Sequence, residues 1–506
     1  MNRLPGFDRT LIFSAASGLL LAAAFPRPDF YPLAWIGLIP LLLVMRKRPF
    51  ASGFACGFSF FASVLYWLNL VMTTYGGLNW IFALLAYLFL IVYLALYFGA
   101  ASWLSCSLEK HFKIPVLLSM PVAWVALEYL RGMLLTGFPW ALLGYSQHDF
   151  SAAIQSADVT GVFGVSLLLV AFNCALAWII RQPRNRCAWL GLAGTLAMTV
   201  THCGYGVWRQ GQPLDLRLDQ LQVALVQGNI DQAIKWDPAY RQATLDKYLK
   251  LSQEAGAGNL DLLIWPEAAT PFFLQEKTPQ GEQVRQVPQG LQTNLLVGSP
   301  AYEKLADKNY RYYNRAYLLS PAGEDAGYSD KIHLVPFGEY VPLGRLLTFI
   351  NKLVVGVGDF APGTVNPLSL NGHQLGVLIC YEVIFPELAR DYVRQGSDLL
   401  VNLTNDAWFG RSSAPYQHLA MARFRAIENR IWLARSANTG ISGFIAPSGK
   451  VTAASPLFKE LVVSGRVGLG SQQTFYTRFG PVMAQGCLAM TFLACAGLVW
   501  RIRREL

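Results

Sequence analysis

The sequence predicts two joined parts: a polytopic α-helical membrane domain of about eight crossings, and an extramembrane α/β domain whose sheets are covered by helices. Three observations carry this. Hydrophobic residues make up 53% of the 506 residues and charged residues only 14%, few for a water-soluble protein. Apolar runs near the length of a bilayer crossing, roughly 20 residues, recur over the first 210 positions and once more near the C-terminus. Between them, short β-rich runs alternate with helical patterns.

The apolar runs fall near 10–25, 30–45, 51–73, 79–106, 115–130, 160–180, 187–206 and 480–500. The first two are short, and either tilt little or pack as a hairpin. The run 79–106 is long enough to tilt or to extend past the lipid. The first run ends in the small residues AAAF and also reads as a cleaved signal peptide. Retention is favoured, because the chain passes straight into a second apolar run.

Basic residues orient the crossings. Arg3, Arg9, Arg46, Lys47, Arg48, Lys110, Lys113, Arg181, Arg184, Arg186, Arg501, Arg503 and Arg504 share one set of loops. The alternate short loops hold only Arg27 and Arg131. Lysine and arginine mark the cytoplasmic side. Both termini are therefore expected in the cytoplasm and the large domain on the opposite face of the membrane, the periplasm of a bacterium. This bias accounts for most of the net charge of +10, so nucleic acid is not an expected partner. The expected division is residues 1–210 for the first crossings, 217–475 for the extramembrane domain and 480–506 for the last crossing and its tail.

Within 217–475, strands are expected at LQVALVQGN, DLLIWPE, TNLLVGSP, NRAYLLSP, QLGVLICYE, SDLLVNLTND, IWLARSAN and ISGFIAPSG. Helices are expected at PAYRQATLDKYLKLSQEA and APYQHLAMARFRAIENR. The sequence carries no glycine-rich phosphate loop and no metal-ligand spacing, so neither cofactor nor metal is expected.

Cys380 is the only cysteine of this domain and ends an apolar strand in GVLICYEVIFPE. The other seven cysteines lie in or beside apolar runs. Unless Cys203 reaches in from the membrane edge, Cys380 has no disulfide partner. It is either an inert core thiol or a nucleophile. Glu267, in LLIWPEAATP, and Lys331, in YSDKIHLVPFGEYVP, also sit where a strand ends or a loop begins, positions suited to catalytic groups. Taken alone, Glu267 also reads as a cap on the following turn and Lys331 as a solvated charge. A cysteine–histidine pair is the competing chemistry. His373 is an odd number of positions from Cys380, so on one regular strand the two face opposite sides. The domain also offers His418, and His333, close to Lys331, stays open on sequence.

The order Glu267, Lys331, Cys380, in the contexts PE, DKxHLVPFGEY and CYE, resembles the nitrilase superfamily. The resemblance covers the whole extramembrane domain. The flanking crossings narrow it to that superfamily's membrane-embedded acyltransferase branch. It implies an α-β-β-α sandwich and a Glu–Lys–Cys triad. Cys380 would be the nucleophile. Glu267 would be the base that takes the thiol proton and later deprotonates an incoming amine. Lys331, with the backbone N–H after Cys380, would stabilise the tetrahedral oxyanion; one such donor is worth about 3–4 kcal/mol.

The same resemblance implies that Glu339 orients Lys331 or the thiol, that Tyr381 and Glu382 shape the pocket, and that Trp236 helps hold a lipid substrate. The plain alternatives are core packing for Trp236 and a structural hydrogen bond for Glu382. Asn405, Asp406 and Trp408 are expected at the site edge. Arg425, Glu428 and Arg430 are expected to form a buried ion-pair network.

The implied reaction moves an acyl chain from a phospholipid to the α-amino group of a lipoprotein's N-terminal diacylglyceryl-cysteine, through a thioester in a ping-pong cycle. The expected partners are a phospholipid donor, diacylglyceryl-modified lipoproteins and the membrane, with the enzyme a monomer. Two other classes remain: a membrane-tethered amidase, and a transporter carrying an inactive domain. Glu128 is the charge that stands out within a crossing, which gives little support to an ion path. The apolar LLTFINKLVVGVG reads as a lipid-dipping lid anchored by Phe349, Val354 and Val355, or as a core helix. The loop RGMLLTGFPWALLGYSQHDF offers Trp140 and Tyr145 as substrate guides or interfacial anchors.

Overall fold

A computed structural model of the chain describes residues 9–212, 219–256, 259–306, 309–340 and 360–505. The chain separates into two units. One comprises Met1–Asn69, Trp80–Gln212 and Phe479–Leu506; the other comprises Leu70–Asn79 and Pro213–Arg478.

The first unit is helical. Among the described residues, three helices are long and apolar enough to cross a membrane: Trp80–Phe112, Val162–Arg181 and Val482–Arg504. The pair Pro49–Val64 and Trp67–Tyr75, bent by 50°, adds a fourth if it acts as one span. The runs expected at 10–25, 115–130 and 187–206 are helical over Arg9–Ala23, Val116–Arg131 and Arg186–Gln210 but do not meet that measure. The run at 30–45 breaks into a 3₁₀ turn, Tyr31–Trp35, and a short helix, Ile39–Val44, each with proline in its first turn. Proline lacks the N–H that would continue a helix. Asn173 satisfies the backbone freed by the break: its Oδ1 accepts from Leu38 N–H at 2.9 Å and its Nδ2 donates to the Ala34 carbonyl at 2.9 Å. Glycine sets the helix spacing elsewhere. A Cβ at Gly18 would overlap the Cys56 carbonyl, and one at Gly53 the Phe98 carbonyl. Such small-residue contacts replace the hydrophobic drive that lipid does not supply.

The second unit holds two six-stranded sheets. The first is built from β1 (Gln220–Gln227), β2 (Leu262–Ile264), β3 (Asn294–Lys304), β4 (Tyr310–Leu319), β5 (Asp325–Asp330) and β12 (Leu461–Gly468), in the order β12-β1-β2-β3-β4-β5. The second is built from β6 (Leu368–Leu370), β7 (His373–Ile379), β8 (Leu399–Thr404), β9 (Leu433–Ala437), β10 (Gly443–Ile445) and β11 (Val451–Ala454), in the order β11-β10-β9-β8-β7-β6. Strands β1, β2 and β3 run parallel, as do β7, β8 and β9.

Side-chain alternation assigns each face. Val223 and Leu225 of β1 join Ile264, Leu296, Val377, Ile379, Val401 and Leu403 in the core between the sheets. Ala224 and Val226 face the other way, onto Tyr248, Leu251, Val284 and Val287 from the helices Arg241–Ala255 and Pro279–Leu291. The second sheet carries Pro386–Arg394 and Ala414–Asn429 on its outer face. Burying each large apolar side chain contributes about 1.5–3 kcal/mol, so this doubly covered layer is a rigid base for the loops at the strand ends.

Candidate active site

Glu267, Lys331 and Cys380 come from separate strands and meet in one buried cluster. Glu267 follows β2, is 7% exposed, and sits on a loop pressed against β3. The approach depends on Gly298 of β3: a Cβ there would stand 2.5 Å from the Pro266 carbonyl oxygen and 2.7 Å from Glu267 Cα. Lys331 follows β5 and is 1% exposed. Its Nζ donates to Glu339 Oε1 at 2.9 Å and to Glu267 Oε1 at 3.4 Å. Burial pulls the Lys331 pKa down, but the Glu339 and Glu267 carboxylates outweigh it and hold the ammonium above its ordinary value.

Cys380 ends β7 where the chain turns through Cys380–Ile384 into the helix from Pro386. Its φ is +54°, in the left-handed region that costs a side-chain-bearing residue energy. Burial pushes its thiol up, Glu267 adds to that rise, and Lys331 opposes it. The Thr404 hydroxyl opposes the rise as well. A thiol in this setting is protonated at rest and needs a base before it can attack.

The strained turn is pinned from behind. The Cys380 carbonyl accepts from His418 Nε2 at 3.2 Å and from Asn402 Nδ2 at 3.4 Å. A carbonyl only accepts, so Nε2 carries the imidazole proton. Nδ1 then faces Arg435 Nη2 at 3.0 Å and Asp406 Oδ1 at 3.1 Å. Burial first, then Arg435, holds His418 below its ordinary pKa. Asp406 is 1% exposed and pairs with Arg435 Nη2 at 2.7 Å. Burial alone would raise the Asp406 carboxyl, but Arg435 and His418 hold it well below the usual range. Because a trans peptide is planar with C=O and N–H opposed, fixing the Cys380 carbonyl fixes the direction of the Tyr381 N–H.

Several expected residues sit differently from the sequence reading. Asp406, expected at the site edge, is buried behind the nucleophile. Glu382 is 1% exposed, and its carboxylate accepts from the N–H groups of Ile332 at 2.6 Å, His333 at 2.9 Å and Ile379 at 2.6 Å. It ties the Lys331 loop to the strand that carries Cys380. Burial raises the Glu382 carboxyl to about 7 against those hydrogen bonds. Tyr381 packs edge-on to Phe385 at 5.2 Å between ring centres. Trp236 is half-buried, with its ring 5.9 Å from Lys235 Nζ. Glu339 is 7% exposed, and its Oε2 also accepts from Val335 N–H at 2.9 Å. Asn405 N–H donates to Glu267 Oε2 at 2.9 Å, and Trp408 meets Tyr75 at 5.8 Å. Arg425 pairs with Glu428 at 2.9 Å, while Arg430 donates to the Pro447 carbonyl at 3.3 Å.

The three histidines of this domain have other partners. His333 stacks on Phe385 at 3.8 Å and is held down to about 4, by burial and then by Lys331. His373 sits between Asp219 and Asp398. His418 touches the nucleophile's carbonyl, as described. In the helical unit, Glu128 accepts from Leu143 N–H at 2.7 Å and Trp124 Nε1 at 3.1 Å. Trp140 and Tyr145 are buried there. Phe349, Val354 and Val355 lie outside the described residues.

Asn314, in the middle of β4, escaped the sequence reading. Its Nδ2 donates to Glu267 Oε1 at 2.8 Å and to Glu339 Oε1 at 2.9 Å. It stands first in the expected strand NRAYLLSP, next to Arg315, so no local pattern marked it. Lys235 also escaped it. It is 2% exposed and donates to the Glu267 backbone carbonyl at 3.1 Å.

A two-sheet domain with a buried cysteine, lysine and paired glutamates, carried on a chain with apolar helices, defines a membrane-bound member of the nitrilase-like carbon–nitrogen hydrolase class. The Carbon-nitrogen hydrolase family model matches residues 222–475, and the Apolipoprotein N-acyltransferase N-terminal domain model matches residues 17–175. The chain is 47% identical over 501 residues to the apolipoprotein N-acyltransferase of Geobacter metallireducens, covering 96% of this chain and 95% of that one. It is 34% identical to the enzyme of the same name from Pasteurella multocida, covering 98% and 96%. Among solved structures it is similar to Nit3 of Saccharomyces cerevisiae, a member of branch 10 of the nitrilase superfamily. That match has a TM-score of 0.40 and 19% identity, over 51% of this chain and 93% of that chain. The chain belongs to the apolipoprotein N-acyltransferase family, a family of membrane proteins.

Proposed function

We propose that this protein transfers an acyl chain from a phospholipid to the α-amino group of the N-terminal diacylglyceryl-cysteine of apolipoproteins. The relatives' shared name supports the class of reaction. The observation that carries the route is the convergence of Cys380, Glu267 and Lys331 in one buried cluster.

In the first half-reaction Glu267 takes the Cys380 proton, and the thiolate attacks the ester carbonyl of the donor. The oxyanion is held by Lys331 and the Tyr381 N–H. Collapse breaks the ester C–O bond, and the lysophospholipid leaves with the proton from Glu267. In the second half-reaction the α-amine attacks the thioester, Glu267 accepts its proton, and the thiol is regenerated. Glu339 orients Lys331, and Asn314 holds both glutamates in register. Glu382, Tyr381 and Trp236 support the pocket, with Trp236 toward the lipid. A buried site keeps water from the thioester, which favours transfer over hydrolysis.

The arrangement in the cell is part of the same reading. Residues 1–210 and 480–506 cross the bacterial inner membrane, eight times in all. Residues 217–475 face the periplasm, both termini face the cytoplasm, and the enzyme works as a monomer. Helices at the positions of the sequence runs and the basic loops support this.

The test is a purified-enzyme assay with phospholipid and a diacylated lipopeptide bearing a free α-amine. The expected product is the triacylated lipopeptide plus lysophospholipid in equal amounts. Hydrolysis of small amides with an unmodified lipopeptide would instead identify a tethered amidase.

A further inference from the structure

The site contains two buried cations, and they are partnered differently. Lys331 is committed to two carboxylates, at 2.9 and 3.4 Å. Lys235 is equally enclosed, yet among the described residues its ammonium meets one neutral hydrogen-bond acceptor, the Glu267 carbonyl at 3.1 Å, and the indole of Trp236 at 5.9 Å. An ammonium has three donors. Burying one with a single neutral acceptor is costly unless an anion completes it. Lys235 also lies within electrostatic reach of both Glu267 and Cys380. Burial draws its pKa down to about 8, against the pull of those two groups, so an arriving anion would secure its charge.

The donor in the acyl-transfer reading, on which this inference rests, carries one permanent anion close to its reacting ester: the phosphodiester. We infer that Lys235 binds the phosphodiester of the phospholipid donor while its ester lies against Cys380. Lys331 serves the transient oxyanion and Lys235 the standing charge of the substrate. A lysine suits this task, since its compact ammonium recognises phosphate as a point charge. Trp236, whose ring lies beside that ammonium, then flanks the glycerol and acyl portion of the same molecule.

The experiment compares two acyl donors on the full-length purified enzyme. Phosphatidylglycerol in detergent carries the phosphodiester, whereas p-nitrophenyl palmitate carries an ester and no phosphate. Acylation of Cys380 is followed by intact mass. For Lys235→Met, acylation by phosphatidylglycerol falls at least about tenfold further than acylation by the nitrophenyl ester, whose loss reports only what Lys235 does for the Glu267 carbonyl. Lys235→Arg, which keeps a cation, retains more of the phosphatidylglycerol reaction than Lys235→Met. An equal fall with both donors would place Lys235 on the oxyanion or in the fold and overturn the assignment. So would an unchanged rate with phosphatidylglycerol, or a folded arginine variant no better than the methionine one. If the unsubstituted enzyme accepts acyl from neither donor, it is the acyl-transfer reading itself that fails.

Discussion

Gly298→Ala places one methyl group against the loop that carries Glu267. The added Cβ would stand 2.5 Å from the Pro266 oxygen, 2.6 Å from the Ala268 nitrogen and 2.7 Å from Glu267 Cα. All three are backbone atoms, so no side chain can swing aside. Restoring ordinary van der Waals contact moves the loop by about 0.9 Å. Gly298 sits inside the β3–β4 ladder opposite Ala316, which keeps β3 from yielding instead. A displacement approaching 1 Å costs up to about a hundredfold when a catalytic group must meet its partner in hydrogen-bond geometry. Acylation of Cys380 by phospholipid should therefore fall about 10- to 100-fold, with overpacking lowering stability by about 1–3 kcal/mol. Rapid-quench intact mass measures the first quantity and chemical denaturation in detergent the second. Acylation at the unsubstituted rate would refute the claim that the position of Glu267 limits thiol activation.

Asn314→Leu removes the neutral donor shared by Glu267 and Glu339 and leaves two buried carboxylates with fewer partners. Each hydrogen bond to a charged group is worth about 1.5–3 kcal/mol, so a clear fall in melting temperature and in acylation rate is expected. His418→Phe releases the Cys380 carbonyl; acylation, which builds an oxyanion at the Tyr381 N–H, should slow about tenfold or more, while iodoacetamide alkylation, which builds none, should change little. Equal losses in the two reactions would show that the thiol itself had moved. His333 is neutral and stacked on Phe385, with its folded pKa near 4 against about 6.5 when unfolded. The folded state therefore binds fewer protons than the unfolded one across that interval, and stability falls as pH drops from about 6.5 to about 4. His333→Phe keeps the stack and should flatten that decline in melting temperature.

What was legible in the sequence follows burial. The eight expected strands are β1–β4 and β7–β10, the interior of each sheet, whose two-sided burial writes a nearly continuous apolar run. The strands not foreseen, β5, β6, β11 and β12, are the four sheet edges. β5 and β11 are largely exposed, the apolar pattern of β12 is interrupted by Ser464, Gly465 and Arg466, and β6 has only three residues. Glu267, Lys331 and Cys380 were legible as candidates because each sits in a local motif at a strand end. Asn314, Lys235 and Arg435 were not, and Asp406 and His418 were named without their pairing, because each acquires its partner through pairing of distant strands and helices. The run at 30–45 is not one continuous helix, which the sequence did not foretell: Pro32 and Pro40 interrupt it, and Asn173, far along the chain, satisfies the break.

The central claim is a covalent acyl group on Cys380, and intact mass reads it directly. Purified enzyme is incubated with phospholipid of a single acyl composition, beside Cys380→Ala. A mass gain of one acyl chain, absent in the variant and discharged when diacylated lipopeptide is added, is the predicted result. An enzyme that forms triacylated lipopeptide at full rate with no acyl adduct on Cys380, or a variant that still acquires the chain, would contradict it.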